Sequence, residues 1–171
     1  WKDKKGTSGE INLIMINLLK DAGLKVYPIL VSTRENGIIN TGLAGYNQFN
    51  KVLAYVQIKD KVYVLDATEK NTPSHLIPFD VMASEGLAIH KIDTYEWGWK
   101  VLWDETHLKK NDVFINAVID ENGTMKGEAK VKSFDYEKIK QLELLKEGED
   151  KFKEGLVAKQ DIKIDSFALA G

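Results

Sequence analysis

One hydroxyl in this chain stands where some enzymes keep a nucleophile. Ser8 lies in "GTSGEINLIMINLLKDAG" (residues 6–23), at the tip of a segment that reads as a helix. Thr7 and Glu10 have the T-x-x-E spacing of a capping box, in which Thr7 accepts from the amide of residue 10 and Glu10 reaches back to Thr7. A helix N-terminus carries partial positive charge and favours an anion. The effect amounts to roughly 0.3–1 kcal/mol, far too little to ionise an alcohol. Ser8 therefore needs a base before it can attack anything.

Other reactive residue types are sparse. There is no cysteine, which removes thiol catalysis, disulfides and thiolate metal ligands. His75, His90 and His107 lie far apart, and none has a ligand-like partner at i+2 to i+4, so no metal centre is expected. Asp120, before "ENG", lacks the oxygen-ligand spacing of a calcium loop and reads as part of a hairpin turn. No cofactor is expected. The stretch "TYEWGWKVLWDETH" (94–107) holds three of the four tryptophans. If it is extended, Tyr95, Trp97, Trp99, Val101 and Trp103 share one face, a strip fit for sugar stacking, protein binding or packing between units.

These residues need elements to hold them. Ile11, Leu13, Ile14, Met15, Ile16, Leu18, Leu19 and Ala22 cover more than one stripe, which predicts a helix enclosed by protein and stopped at Gly23. "LKVYPILVSTR" reads as a strand, at an edge or irregularly paired because of Pro28. Residues 35–48 form a long Gly- and Asn-rich loop. "KVLAYVQI" and "VYVLDAT" make an antiparallel hairpin around "KDK", residues 69–86 a surface loop, and "LAIHKI" a short strand. "DVFINAVID" and "TMKGEAKVKSF" flank the "ENG" turn. Residues 135–155 read as one amphipathic helix, its charges alternating in sign on a solvated face, and "QDIKIDSFAL" as a closing strand.

The 171 residues suffice for one domain or two small ones. Hydrophobic residues make up 43% and charged residues 29%, ordinary for a globular chain. Lys and Arg (24) are mixed among Asp and Glu (26), for a net charge of −2, which disfavours a nucleic-acid partner. The longest apolar run is far short of a membrane span. The chain opens without Met almost directly at a helix and ends on a strand-like segment, so it reads as a fragment of a larger protein whose compartment it does not reveal.

"GTSGE" opening a helix, "AGLKVYPILVSTR", "QFNKVLAYV" and "YVLDAT" follow in a fixed order. In this the chain resembles the transglutaminase-like branch of the papain-like cysteine enzymes. More narrowly, it is similar to bacterial multidomain proteins that flank such a core with β domains, of the kind found in secreted Bacteroidetes proteins. The resemblance covers residues 1–92, the C-terminal part of the core, and less closely the rest. It implies an α+β fold, a buried helix on an antiparallel sheet. A Trp-rich connector (93–105) and the start of a β-rich domain with one helix (106–171) would follow.

The family places a catalytic Cys at the start of that helix, a His early on the next strand and an Asp at the end of the strand after it. Those positions fall here on Ser8, Lys51 and Asp66. Lys51 serves as a base only if it is neutral, and an adjacent Asp66 would hold it charged. The resemblance thus implies a vestigial triad and no catalysis. A Ser8-dependent hydrolase or acyltransferase is the enzymatic alternative. Gln48 and Asn50 flank Lys51 and would line the old groove or serve the loop, the groove accepting a peptide or glycan-linked peptide. The resemblance also implies a periplasmic or secreted module with a binding or structural role. A further alternative is a glycan- or protein-binding module using Trp97 and Trp99. No oligomeric state follows from the sequence.

Overall fold

The computed structural model describes residues 5–43, 45–91, 94, 96–157 and 162–169. The fold is mixed α+β, in two compact units, residues 1–107 and 108–171. Among the described residues no helix is long and apolar enough to cross a membrane.

In the first unit, helix α1 spans Ser8–Asp21 behind a complete capping box on Thr7 and Glu10. Gly23 ends it in the left-handed region, with φ of 82°. Five strands follow: β1 (Lys25–Val31), β2 (Lys51–Ile58), β3 (Lys61–Leu65), β4 (Ser84–Lys91) and β5 (Glu96–Leu102). They form one antiparallel sheet in the order β3-β2-β1-β4-β5. Strand alternation splits its side chains into two layers. Ile29, Val31, Leu53, Val64, Ala88 and Leu102 point to one face and close a core with Val81. Val26, Ala54 and Val56 point to the other and pack on Ile16 of α1.

Several expectations need correction. Among the described residues helix α1 is not enclosed. Only Asn12 and Ile16 are buried, because the sheet covers one stripe, and Leu18 stays 59% exposed with Leu13 and Ile14 also open. Strand β1 is central rather than an edge, and of the two expectations for Pro28 irregular pairing is the one that holds. Its ladder to β4 covers only Ile29–Val31 and stops at Pro28, where the donor is missing, while the β2 ladder runs on past it. The 69–86 segment is not merely a surface loop. Leu76 and Val81 are buried, the latter in a 3-10 turn at Phe79–Val81, and the strand after it begins at Ser84. The Trp-rich stretch supplies strand β5 instead of a connector. Gly98 and Leu102 pair with Ala88 and Ser84 of β4, so the segment belongs to the sheet.

In the second unit, β6 (Lys110–Ile119) and β7 (Met125–Phe134) form the expected hairpin, its turn held by Asp120 Oδ1 accepting from the amides of Asn122 and Thr124. The single helix is in fact two, α2 (Asp135–Lys146) and α3 (Glu149–Val157), broken at Gly148, which takes φ of 121°. Residues 162–169 form no strand; Phe167 instead packs its ring 5.3 Å from that of Phe152.

Candidate functional site

Three elements of the first unit converge on one buried carboxylate. Asp66 follows directly on β3, Lys51 is the first residue of β2, and Asn12 lies one turn into α1. The Asp66 side chain is fully buried. Its Oδ1 accepts from Asn12 Nδ2 at 3.0 Å, from the Thr68 amide at 2.9 Å and from the Thr68 hydroxyl at 2.6 Å. Its Oδ2 faces Lys51 Nζ at 2.6 Å and has no other partner among the described residues. Asn12 is also fully buried and closes the arrangement by accepting from the Ala67 amide at 2.7 Å. A β-strand end, a helix and a second strand are thus pinned together through one side chain.

Lys51 has a second carboxylate. Asp80, in the Phe79–Val81 turn, sits 2.7 Å from Nζ and is 42% exposed. The electrostatics follow from this geometry. Burial works against the Lys51 ammonium, but its hydrogen bonds to Asp66 and then Asp80, with their charges, outweigh that and hold its pKa above the ordinary lysine value. Burial likewise pushes the Asp66 pKa up. Bonds from Lys51, Thr68 and Asn12 prevail and hold it below the ordinary carboxylate value. At neutral pH the site is a cation between two anions. The amine has no lone pair to accept a proton, so it is no general base.

Ser8 is half-buried, four residues before Asn12 and therefore on the same helix face. The structure brings Lys51 and Asp66 into contact and places Ser8 on the face of α1 that meets them. Gln48 and Asn50 are spent on the loop. Gln48 Oε1 accepts from the Asn40 amide at 2.7 Å and Nε2 donates to Leu43 O at 2.9 Å. Asn50 Oδ1 accepts from the Thr33 amide at 2.9 Å, and its Nδ2 donates to the Thr33 hydroxyl. A cavity of about 170 Å³, lined in part by Met15, Leu65, Asp66 and Pro73, lies beside the pair.

The aromatic strip is divided. Trp97 and Trp103 are each 58% exposed, while Trp99 is half-buried with its ring centroid 6.2 Å from that of Phe49. Tyr95 lies outside the described residues. The histidines are not all apart in space: His75 and His107 come within 5.0 Å between ring centroids, and His107 is bonded to Asp104, a partner at i−3. His90 instead stacks on Tyr27 at 4.0 Å.

Sequence reasoning missed Asn12, Asp80 and Thr68. Asn12 had a signal, an amide in the middle of "EINLIMINLL", where a polar side chain among buried positions needs a partner. Asp80 had none, since it reaches Lys51 from 29 residues away through a turn. Compared with protein-family models, with curated proteins and with solved structures, the chain matches none.

Proposed function

We propose that this chain is a non-catalytic module of transglutaminase-like, papain-like type, with a binding or structural role in a larger extracytoplasmic bacterial protein. The observation that carries the reading is the Lys51 ammonium held between Asp66 and Asp80, at 2.6 and 2.7 Å. The meeting of the first turns of α1, through Asn12, with the start of β2 and the end of β3 supports the positional correspondence with a Cys-His-Asp site. The charge state argues against a reaction there. An unassisted serine hydroxyl is a poor nucleophile, and its prospective base is a tightly held cation. What remains is shape, and in this reading the space beside Asp66 receives part of an extended peptide or glycan-linked peptide.

The test is an active-site-directed fluorophosphonate. The native chain is expected to stay unlabelled under conditions that label a serine hydrolase fully. Labelling that disappears in Ser8→Ala overturns the reading in favour of the hydrolase. The positional correspondence has its own check. In the double variant Ser8→Cys, Lys51→His, the new thiol should titrate below the free value of about 8.5, as a thiolate at a helix N-terminus near an imidazolium does.

A second reading rests on Trp97, an indole more than half exposed on an edge strand. In that reading the module binds glycan through the outward face of β5. Glycan-array signal that survives substitution of Ser8 and Lys51 but is lost in Trp97→Ala favours it.

A further inference from the structure

The core face of the five-stranded sheet opens into a cavity of about 700 Å³. Two segments of the first unit meet along its lining. One carries His75 in the turn region before the Phe79–Val81 turn, and the other runs from Trp103 to His107 just beyond β5. Nothing in the transglutaminase-like reading uses this end of the unit.

His107 is oriented by a carboxylate. Its Nδ1 lies 2.5 Å from Asp104 Oδ2, and Asp104 is fixed in turn by the Thr106 amide at 2.8 Å and the Thr106 hydroxyl at 2.6 Å, both on Oδ1. A carboxylate on one ring nitrogen leaves Nε2 as the ligating atom, the arrangement that supports metal-bound histidines. The second imidazole is already in place, with ring nitrogens of His75 and His107 within 4.8 Å of one another. A metal at about 2.1 Å from each nitrogen needs them at most about 4.2 Å apart, and about 3.4 Å apart when tetrahedral, so the rings close by up to about 0.6–1.4 Å to hold one.

We propose that His75 and His107 form a binding site for a divalent transition metal of the zinc or copper class, with Asp104 as the positioning carboxylate. Two imidazoles and solvent suit Cu(II) best and Zn(II) next among the borderline ions, and exclude Ca(II) and Mg(II), which take oxygen ligands. Lys61 and Lys100 line the same cavity and oppose a second cation, so the stoichiometry is one. The role is a clasp, fastening the segment that carries His75 to the one that follows β5. The proposal is independent of the reading of Ser8, Lys51 and Asp66.

The experiment titrates the full chain with Cu(II) against a competing chelator and reads the ligands by pulsed electron paramagnetic resonance. One ion per chain with two imidazole nitrogens is expected, and Zn(II) should compete for the site only in large excess. His75→Ala and His107→Ala should each weaken binding at least tenfold. Asp104→Asn should weaken it about 10–100-fold, the usual cost of losing such a carboxylate, with both imidazole couplings retained. His90→Ala, whose ring is stacked on Tyr27, should bind as the native chain does. Unchanged affinity in the His75→Ala, His107→Ala double variant overturns the site, as does a spectrum with fewer than two imidazoles. Native affinity in Asp104→Asn overturns the positioning role.

Discussion

Replacing Lys51 by Met removes the cation and keeps most of the side chain's volume. At 2.6 Å and an effective dielectric near 20, the gross attraction to Asp66 is about 6 kcal/mol. The net cost of breaking such a pair is smaller, about 3–5 kcal/mol, because the stranded carboxylate relaxes or takes up a proton. Asp66 keeps three donors on Oδ1, which places the expected cost near the low end, about 3 kcal/mol at pH 7. Asp80 adds little, since its partly exposed carboxylate returns to water. The pH dependence has a definite sign. The Asp66 pKa is depressed in the folded state, so its contribution is present above the unfolded value of about 3.9 and is lost as pH falls through the folded one. In Lys51→Met the folded pKa rises, and proton uptake relieves the stranded charge. The gap between native and variant is therefore widest near neutral pH and closes below about pH 4. Urea unfolding followed by tryptophan fluorescence reads the right unit, since Trp97, Trp99 and Trp103 all belong to the first. A cost under about 1 kcal/mol, as for an exposed pair, or one that does not shrink in acid, refutes the reasoning.

Two further substitutions probe the same unit. Asn12→Ala strips a donor from the buried Asp66 carboxylate and removes the acceptor of the Ala67 amide, so a loss of about 1–3 kcal/mol is expected from urea unfolding. Gly86→Ala places a methyl 2.7 Å from Ile29 Cδ1 and Cγ1 and 3.0 Å from Val31 Cγ1, in the middle of the core, and overpacking of that kind should cost about 1–3 kcal/mol by the same assay.

What the sequence revealed, and what it hid, divides along local and non-local lines. The capping box on Thr7 and Glu10, the stop at Gly23, the hairpin of β2 and β3 and the turn at Asp120–Thr124 are written in short windows, and each forms. The degree of burial of α1 was not legible. A run such as "INLIMINLL" states how much apolar surface exists, not how much of it the sheet covers, and here the sheet covers the stripe of Asn12 and Ile16. Strand β5 was hidden because its inward residues are Gly98, Lys100 and Leu102, a weak apolar face beside a strong tryptophan one. The break at Gly148 was visible as a glycine but lost among the helix-forming residues around it. In the candidate site, the proximity of Lys51 and Asp66 followed only from a resemblance. Asp80 and the meeting of His75 with His107 depend on where the 69–86 segment folds back, which no local pattern encodes.

The second carboxylate matters more than the first for the chemistry. A single buried Lys–Asp pair can exchange its proton inward, leaving a neutral amine beside a neutral acid, and a neutral amine is the base a serine needs. Asp80 closes that route. Were Asp66 protonated, Nζ would still lie 2.7 Å from a partly solvated carboxylate, whose pull on the ammonium persists. Neutralising the amine therefore means overcoming two anions at once. The half-unit of positive charge at the helix start is too small to offset them. One lysine held by two aspartates makes this end of the sheet a structural clamp, and it does so whether or not the residue at the helix tip is a serine.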